Sequence, residues 1–346
     1  AAPVLLVNEQ WWRGLKDPVL IRLVDLALAQ NLSLAAARAR VEAARAEVQA
    51  VPGEVSLSGT TALQHSGRSG SDLMLNSSLG FSWLLDPWGA RKAQLRGAAA
   101  RLAAAEAEAD AARLLVLFNL ANAYVDLRHR QRPLGRAQGE QAGRRRTLGL
   151  TRTLAAAEAA TRLEIARSEA RVAEIEARLP GLRAAIRTKA NEIAVLAGRM
   201  PGQLPVALDG SGGIPRPVLI PTVGIPADLL RNRPDIRVSE ARYYSALADL
   251  DGAEAARYPR LSLSGTLSLG HLVGGGTASS HVFGPQLALP AIPGTAARAA
   301  VTARAAAVRG AEAQWRQSVI GAVAEVENAL IDYQAQAQSL AAAGRS

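Results

Sequence analysis

The chain contains no cysteine, which excludes disulfides, thiolate metal sites and a cysteine nucleophile. Aromatic residues make up only 4% of its 346 residues, and Lys stands only at positions 16, 92 and 189. The opening "AAPVLLVNEQWW" has no positively charged start and no long apolar run, so no export signal is visible in it, nor a lipid-carrying N-terminal Cys. Residues 261–297 hold no Asp, Glu, Lys or Arg, yet their Ser, Gly and Pro content excludes a membrane-spanning helix. The four His residues (65, 129, 271 and 281) lack metal-ligand spacing, and no nucleophile–base grouping is present. An enzyme is the least supported class, and no cofactor is expected.

What is abundant is Ala, which dominates the 49% hydrophobic fraction. Ala favours helix and lets helices approach closely, so the core is thin and suits long helices packed side by side. The net charge of +10 comes almost entirely from Arg. These Arg residues alternate with Glu, as in "RLEIARSEARVAEIEARL" (162–179), a pattern of solvated helix faces rather than a nucleic-acid surface. The only tight basic cluster is "RRR" at 144–146.

Along the chain the period of the pattern changes several times. A helical stretch runs from about Asp17 to Ala50, with Leu20, Leu23, Val24 and Ala27 at helical spacing, and Pro52-Gly53 ends it. "VSLSGTTAL" (55–63) and "LMLNSSLGFSWLL" (73–85) then alternate, joined by the polar "QHSGRSGSD" (64–72), which predicts a hairpin over 55–85. Leu73, Leu75, Leu79, Phe81 and Trp83 share its apolar face. A long helical region covers 89–199, where Pro133 and Gly135, Gly139, Gly143 and Gly149 predict a bend or break. Residues 200–225 are a Pro/Gly-rich linker.

The second half repeats the first. A helix is expected from Pro226 to about Arg257, followed by a hairpin over 260–290. In "RLSLSGTLSLGHL" (260–272), Leu261, Leu263, Leu267 and Leu269 face one side and Ser262, Ser264, Thr266 and Ser268 the other. A long Ala-rich helix follows over 294–346. "LSGT" occurs at 57–60 and 263–266, and "NAYVDL" (122–127) returns as "NALIDY" (328–333), each echo 206 positions later. The fold class is therefore mainly α with membrane β-hairpins: a tandem helix–strand–strand–helix repeat, residues 1–199 and 226–346.

Taken singly, each hairpin reads as a soluble one with a face on a core. Two uncharged hairpins in one register instead match a transmembrane β-barrel. Four strands cannot close such a barrel, and open edges are not tolerated in lipid, so closure requires several chains.

At this point the residues resemble a known family, the TolC-like outer membrane factors, and within it the nodulation-protein-T branch of outer membrane efflux lipoproteins. The motifs are "WWRGLKDPVLIRLVDLALAQN" (11–31), "FSWLLDPWGARKAQL" (81–95), "LPGLRAAIRTKANEIAVLAGRMPG" (179–202), "IPADLLRNRPDIRVSEAR" (225–242) and "YPRLSLSGT" (258–266). The resemblance implies a homotrimer with a twelve-stranded β-barrel in the outer membrane of a Gram-negative bacterium and a long α-helical barrel in the periplasm. It implies a passive exit duct for small molecules, docked to a periplasmic adaptor (membrane fusion) protein and an inner-membrane transporter, with no nucleic acid. The adaptor-contact tip falls at Ala157, Glu158 and Ala159, where the family's Gly-Leu motif is absent. Repeat two stops at Ser346, before the expected returning helix, which is read as truncation.

Smaller features remain open in the sequence. Trp83 and Trp88 flank the strand-to-helix corner, either at a membrane interface or packing the corner. Trp315 reads as helix packing, and Asp126 and Asp332 either face a lumen or hold an interhelical hydrogen bond. The competing class is a soluble Ala-rich coiled-coil scaffold or adaptor, which detergent-free solubility as a monomer would favour.

Overall fold

Asp17 and Pro18 begin the first helix as their chemistry dictates. Asp17 Oδ1 accepts the N–H groups of Val19 (2.8 Å) and Leu20 (3.1 Å), and Pro18 occupies the first turn, where its missing N–H is not needed. Helix α1 (Pro18–Gln30) buries Leu20, Leu23, Val24 and Ala27. The stretch expected to run unbroken to Ala50 instead breaks at Asn31, and α2 (Leu32–Ala50) leaves at 41°. Asn31 makes this joint possible because it serves both helices. Its backbone N–H donates to Ala27, its Oδ1 accepts from the Leu34 N–H (3.0 Å), and its Nδ2 donates to the Leu196 carbonyl (2.8 Å).

The computed structural model describes residues 10–66, 72–206, 208, 213–215, 232–272, 275–290 and 294–343. Strands β1 (Val55–Ser66) and β2 (Asp72–Leu85) follow α2, then α3 (Ala90–Ala156) and α4 (Arg162–Leu196). The second half contributes α5 (Pro234–Ala255), β3 (Arg260–Leu272), β4 (Thr277–Ala288) and α6 (Thr295–Ala343). The strands extend a few residues beyond the alternating stretches read from sequence. Helix α5 is described from Pro234, and the expected start at Pro226 lies outside the described residues. No single helix among the described residues is long and apolar enough to cross a membrane.

Of the bend or break expected at Pro133, the break does not occur. Helix α3 runs through it for 67 residues, and Pro180 likewise sits inside α4. A proline in a helix interior costs about 3 kcal/mol, but the loss is local. Packing on the preceding turns outweighs it: Leu117, Leu120, Tyr124, Leu127 and Arg128 are all buried just before Pro133. None of Gly135, Gly139, Gly143 and Gly149 takes a positive φ, so they continue the helix.

The chain divides into two units, Ala1–Arg38 with Ala109–Pro226, and Ala39–Glu108 with Ala227–Ser346. The first unit is built on an apolar core in which Trp12, Leu20, Leu23 and Val24 meet Leu117, Leu120, Tyr124 and Leu127 of α3 and Ile193 of α4. A polar chain runs through this core. Tyr124 Oη donates to Asp17 Oδ2 (2.7 Å) and accepts from Arg128 Nε (2.9 Å), and Arg128 Nη1 donates to Gln131 Oε1 (3.0 Å). Gln131 Nε2 closes the chain on the Leu208 carbonyl. Further out, α3 and α4 are bridged by Arg152–Glu169 (2.6 Å) and by Lys189–Asp126 (3.1 Å), so Asp126 holds an interhelical contact. In the second unit, α5 and α6 meet through Tyr243 stacked on Trp315 at 5.8 Å, the helix packing expected of Trp315.

The contacts of the first unit generate two expectations. Gly198 ends α4 in the left-handed conformation (φ 71°), and a Cβ there would lie 2.1 Å from the Gln30 carbonyl oxygen. Gly198→Ala is therefore expected to lower stability by about 3 kcal/mol, whereas Gly139→Ala, with nothing within 4 Å, stays neutral or gains. Thermal unfolding followed by circular dichroism checks the pair, and equal melting temperatures would refute the joint. The second prediction concerns alkali. Burial, with the hydrogen bond to Asp17, pushes the Tyr124 hydroxyl up to about 12. The folded state prefers the neutral phenol, so this stabilisation is complete below pH ~10 and is lost as pH rises towards ~12, by about 2–3 kcal/mol. Tyr124→Phe should be about 1–2 kcal/mol less stable at neutral pH and should lack that alkaline step.

Candidate membrane face and helical tip

The four strands form one antiparallel sheet in the order β1-β2-β3-β4. Its register has a simple consequence. Trp83 pairs with Val55 on one side and Leu263 on the other, Leu79 with Gly59 and Leu267, and Leu263 in turn with Pro285. Directly opposed residues share a face and neighbours along a strand alternate, so every odd-numbered position lies on one face and every even-numbered position on the other.

The odd face gathers Leu73, Leu75, Leu79, Phe81 and Trp83 from β2 with Leu261, Leu263, Leu267 and Leu269 from β3. It also receives residues that the sequence reading did not select: Val55, Leu57 and Leu63 of β1, and Phe283 and Leu287 of β4. Parity was the signal that would have found them, but it applies across strands only once the register is known. Several of these side chains stand exposed, among them Leu57 (69%), Phe283 (69%) and Leu287 (62%). Phe283 also leans over Gly265, where a Cβ would come within 2.8 Å of its ring, so the aromatic fills the space that the glycine leaves. Polar members of the odd face fall in two places: His65, His271 and Thr277 at the end remote from the helices, with His271 bonding Thr277 at 3.0 Å, and Thr61, Ser77, Ser279 and His281 nearer the middle, where His281 pairs with Leu267.

The even face is mostly small polar groups, interrupted by Met74, Leu84, Leu272 and Val282. Thr60 and Ser78 hydroxyls meet at 2.7 Å, and Asn76 donates to Gln64 at 3.2 Å. Ser262, Ser264, Thr266 and Ser268 continue the same face across β3. No ionisable side chain lies on the described part of β3 and β4 between Leu261 and Ala288 except His271 and His281.

At the other end of the sheet the strands turn into helices at a braced corner. Asp86 Oδ2 accepts the N–H groups of Arg91 (3.0 Å) and Lys92 (3.2 Å), which starts α3. The Arg91 guanidinium donates to the Pro52 carbonyl (2.9 Å) and to Glu54 (3.2 Å), tying α3 to the segment that leads into β1. Trp88 Nε1 donates to the Pro259 carbonyl (3.0 Å), and its ring stacks on Tyr258 at 4.5 Å, tying α3 to the segment that leads into β3.

The far end of α3 is a tight reversal. Ala157, Glu158 and Ala159 form the turn between α3 and α4, with Glu158 left-handed (φ 56°). Thr161 starts α4 with a reciprocal cap: the Glu164 N–H donates to its hydroxyl (3.3 Å) and the Thr161 N–H donates to Glu164 (2.6 Å). The apolar side chains nearest this turn, Leu150, Leu154 and Leu163, are exposed at 67%, 51% and 58%.

Comparison with known proteins agrees with this geometry. A family model described as outer membrane efflux protein matches residues 23–199 and 225–346. Nodulation protein T of Rhizobium leguminosarum bv. trifolii is 34% identical over 97% of this chain and 74% of its own length. The pyoverdine export outer membrane protein OpmQ of Pseudomonas aeruginosa is 32% identical over 76% of this chain and 58% of its own length. Among solved structures, the outer-membrane channel OprN superposes with a TM-score of 0.78 at 30% identity, covering 96% of this chain and 78% of that one.

Proposed function

The chain belongs to the outer membrane efflux protein family, and on that premise we propose that three copies close their sheets into one twelve-stranded barrel in the outer membrane. The observation that carries the reading is the register. It gives the sheet an uncharged apolar face and a polar face, and it leaves β1 and β4 as edges. Exposed edges are unsatisfied hydrogen-bonding rows that cannot remain open in lipid, so the β4 edge of one copy meets the β1 edge of the next. The odd face, with Leu73, Leu75, Leu79, Phe81, Trp83, Leu261, Leu263, Leu267 and Leu269, then contacts lipid, and the serine-rich even face lines the passage.

The protein is an outer membrane efflux channel, the exit component of a tripartite pump, and it works as a conduit rather than an enzyme. The partners that such a channel implies are a periplasmic adaptor and an inner-membrane transporter. We assign adaptor contact to the turn at Ala157, Glu158 and Ala159 with the exposed Leu150, Leu154 and Leu163 beside it. The cargo class is small organic molecules, in keeping with the pyoverdine export for which OpmQ is named.

Face-specific charge tests the reading. An Arg near the bilayer midplane costs about 2–4 kcal/mol on a lipid face and little on a lumen face. Leu79→Arg and Leu267→Arg are expected to abolish an SDS-resistant trimer in the outer membrane fraction, while Ser78→Arg and Ser268→Arg assemble normally. Equal tolerance on both faces, or a wild-type chain soluble as a monomer without detergent, would overturn it.

A further inference from the structure

The corner at the helix end of the sheet encloses a cleft that the duct reading does not use. Its volume is about 920 Å³, and Trp88, Lys92, Arg96, Glu254, Arg257 and Tyr258 line it, with Leu95 and Asp251 at its sides. It lies close to the sheet: Trp88 is three residues past the end of β2, and Tyr258 two before the start of β3. β2 and β3 are the inner strands of the four, so the cleft belongs to the middle of the chain rather than to the β1 and β4 edges.

A second cleft occupies the opposite face of α3. At 3.6 residues per turn, Lys92 and Arg96 project away from Gln94, Ala98 and Arg101, which line the second cleft together with Glu47 of α2 and Arg304 of α6. The side on which α2, α3, α5 and α6 converge is thus the side of the second cleft, and the first opens away from it.

The charges in the first cleft are of both signs. Arg96 is paired with Asp251 at 2.8 Å. The side chains of Lys92, Arg257 and Glu254 are exposed and enter no ion pair among the described residues. The stacked rings of Trp88 and Tyr258 remain half exposed, at 50% and 48%. An aromatic stack beside exposed cations, next to a sheet whose odd face holds no Asp, Glu, Lys or Arg, is the chemistry of a membrane–water interface.

We propose that this cleft binds the phosphoethanolamine headgroup of a phospholipid in the leaflet at the helix end of the sheet. Lys92 and Arg257 donate to the phosphodiester, and Glu254, with Asp251 behind it, accepts from the primary ammonium. Trp88, Tyr258 and Leu95 cover the glycerol and the first methylenes. A choline headgroup has no N–H to donate to these carboxylates, and a glycerol headgroup brings no cation, so the set selects the ethanolamine form. The inference rests on the reading that the odd face lies in lipid.

The test uses protein purified in dodecyl maltoside, stripped of lipid and titrated with short-chain phosphatidylethanolamine, phosphatidylcholine, phosphatidylglycerol and inorganic phosphate, with adducts read by native mass spectrometry. Phosphatidylethanolamine is expected to bind about tenfold more tightly than the other two lipids. The double variant Lys92→Gln with Arg257→Gln should lose that binding, and Glu254→Gln should lose the preference over phosphatidylcholine while still binding lipid. All three are exposed, so the melting temperature should not move. Equal binding of the three lipids, unchanged binding by the double variant, or inorganic phosphate bound as tightly as lipid would each overturn the headgroup site. Co-flotation with liposomes separates the two readings: a chain that fails to float refutes the membrane sheet itself, whereas one that floats without headgroup preference refutes only this site.

Discussion

The hydrogen-bonded register between β2 and β3 is the constraint on which the rest of the structure depends. These strands come from different halves of the chain, and their pairing of Leu79 with Leu267 and Trp83 with Leu263 aligns the two hairpins. A slip of one residue would turn the leucines of one hairpin onto the serine face of the other. With odd matched to odd, two modest hairpins become one sheet with a continuous apolar face and a continuous polar one. Neither face holds an Asp, Glu, Lys or Arg between Leu261 and Ala288, so on β3 and β4 only His271 and His281 oppose burial of the leucine side in hydrocarbon.

The corner converts that register into helix positions. Arg91 and Trp88, three residues apart at the start of α3, reach the backbone carbonyls of Pro52, three residues before β1, and Pro259, immediately before β3. One helix start therefore holds the entrances to both hairpins. Beyond it the helices are Ala-rich and thinly cored, and exposed ion pairs such as Arg96–Asp251 and Arg242–Glu108 add little stability each. The first unit is held differently, by the Leu and Tyr core around Tyr124 and by the Asn31 joint. "NAYVDL" and "NALIDY" show how context divides a repeat. Tyr124 and Leu127 are fully buried, while of their counterparts 206 positions on, Leu330 is partly buried and Tyr333 is 48% exposed.

Much of this was legible in the sequence because alternation and helical spacing are local signals. The hairpins, the apolar sets on β2 and β3, the 206-residue repeat and the family all came from such patterns or from motifs. What escaped depended on contacts between distant segments. The bend at Asn31 needs the Leu196 carbonyl of α4 to complete it, and no local pattern announces that partner. Pro133 carries a local breaking signal that buried neighbours override. The β1 and β4 members of the apolar face, Val55, Leu57, Phe283 and Leu287, are placed on the same face as the β2 and β3 leucines only by the pairing between strands. The mixed-charge cleft at Trp88 joins residues about 160 positions apart, which no spacing rule brings together.

The central claim is that the free edges of β1 and β4 pair between copies and close after three. The absence of cysteine makes one measurement decisive. With Ser58→Cys on β1, cysteines are placed in turn at Ser280, Val282 and Gly284 on β4, and membranes are oxidised before denaturing electrophoresis. The account predicts disulfide-linked dimers and trimers for the pair in register, with the ladder ending at the trimer. Cross-links confined within single chains, or a ladder that continues past three copies, would contradict it.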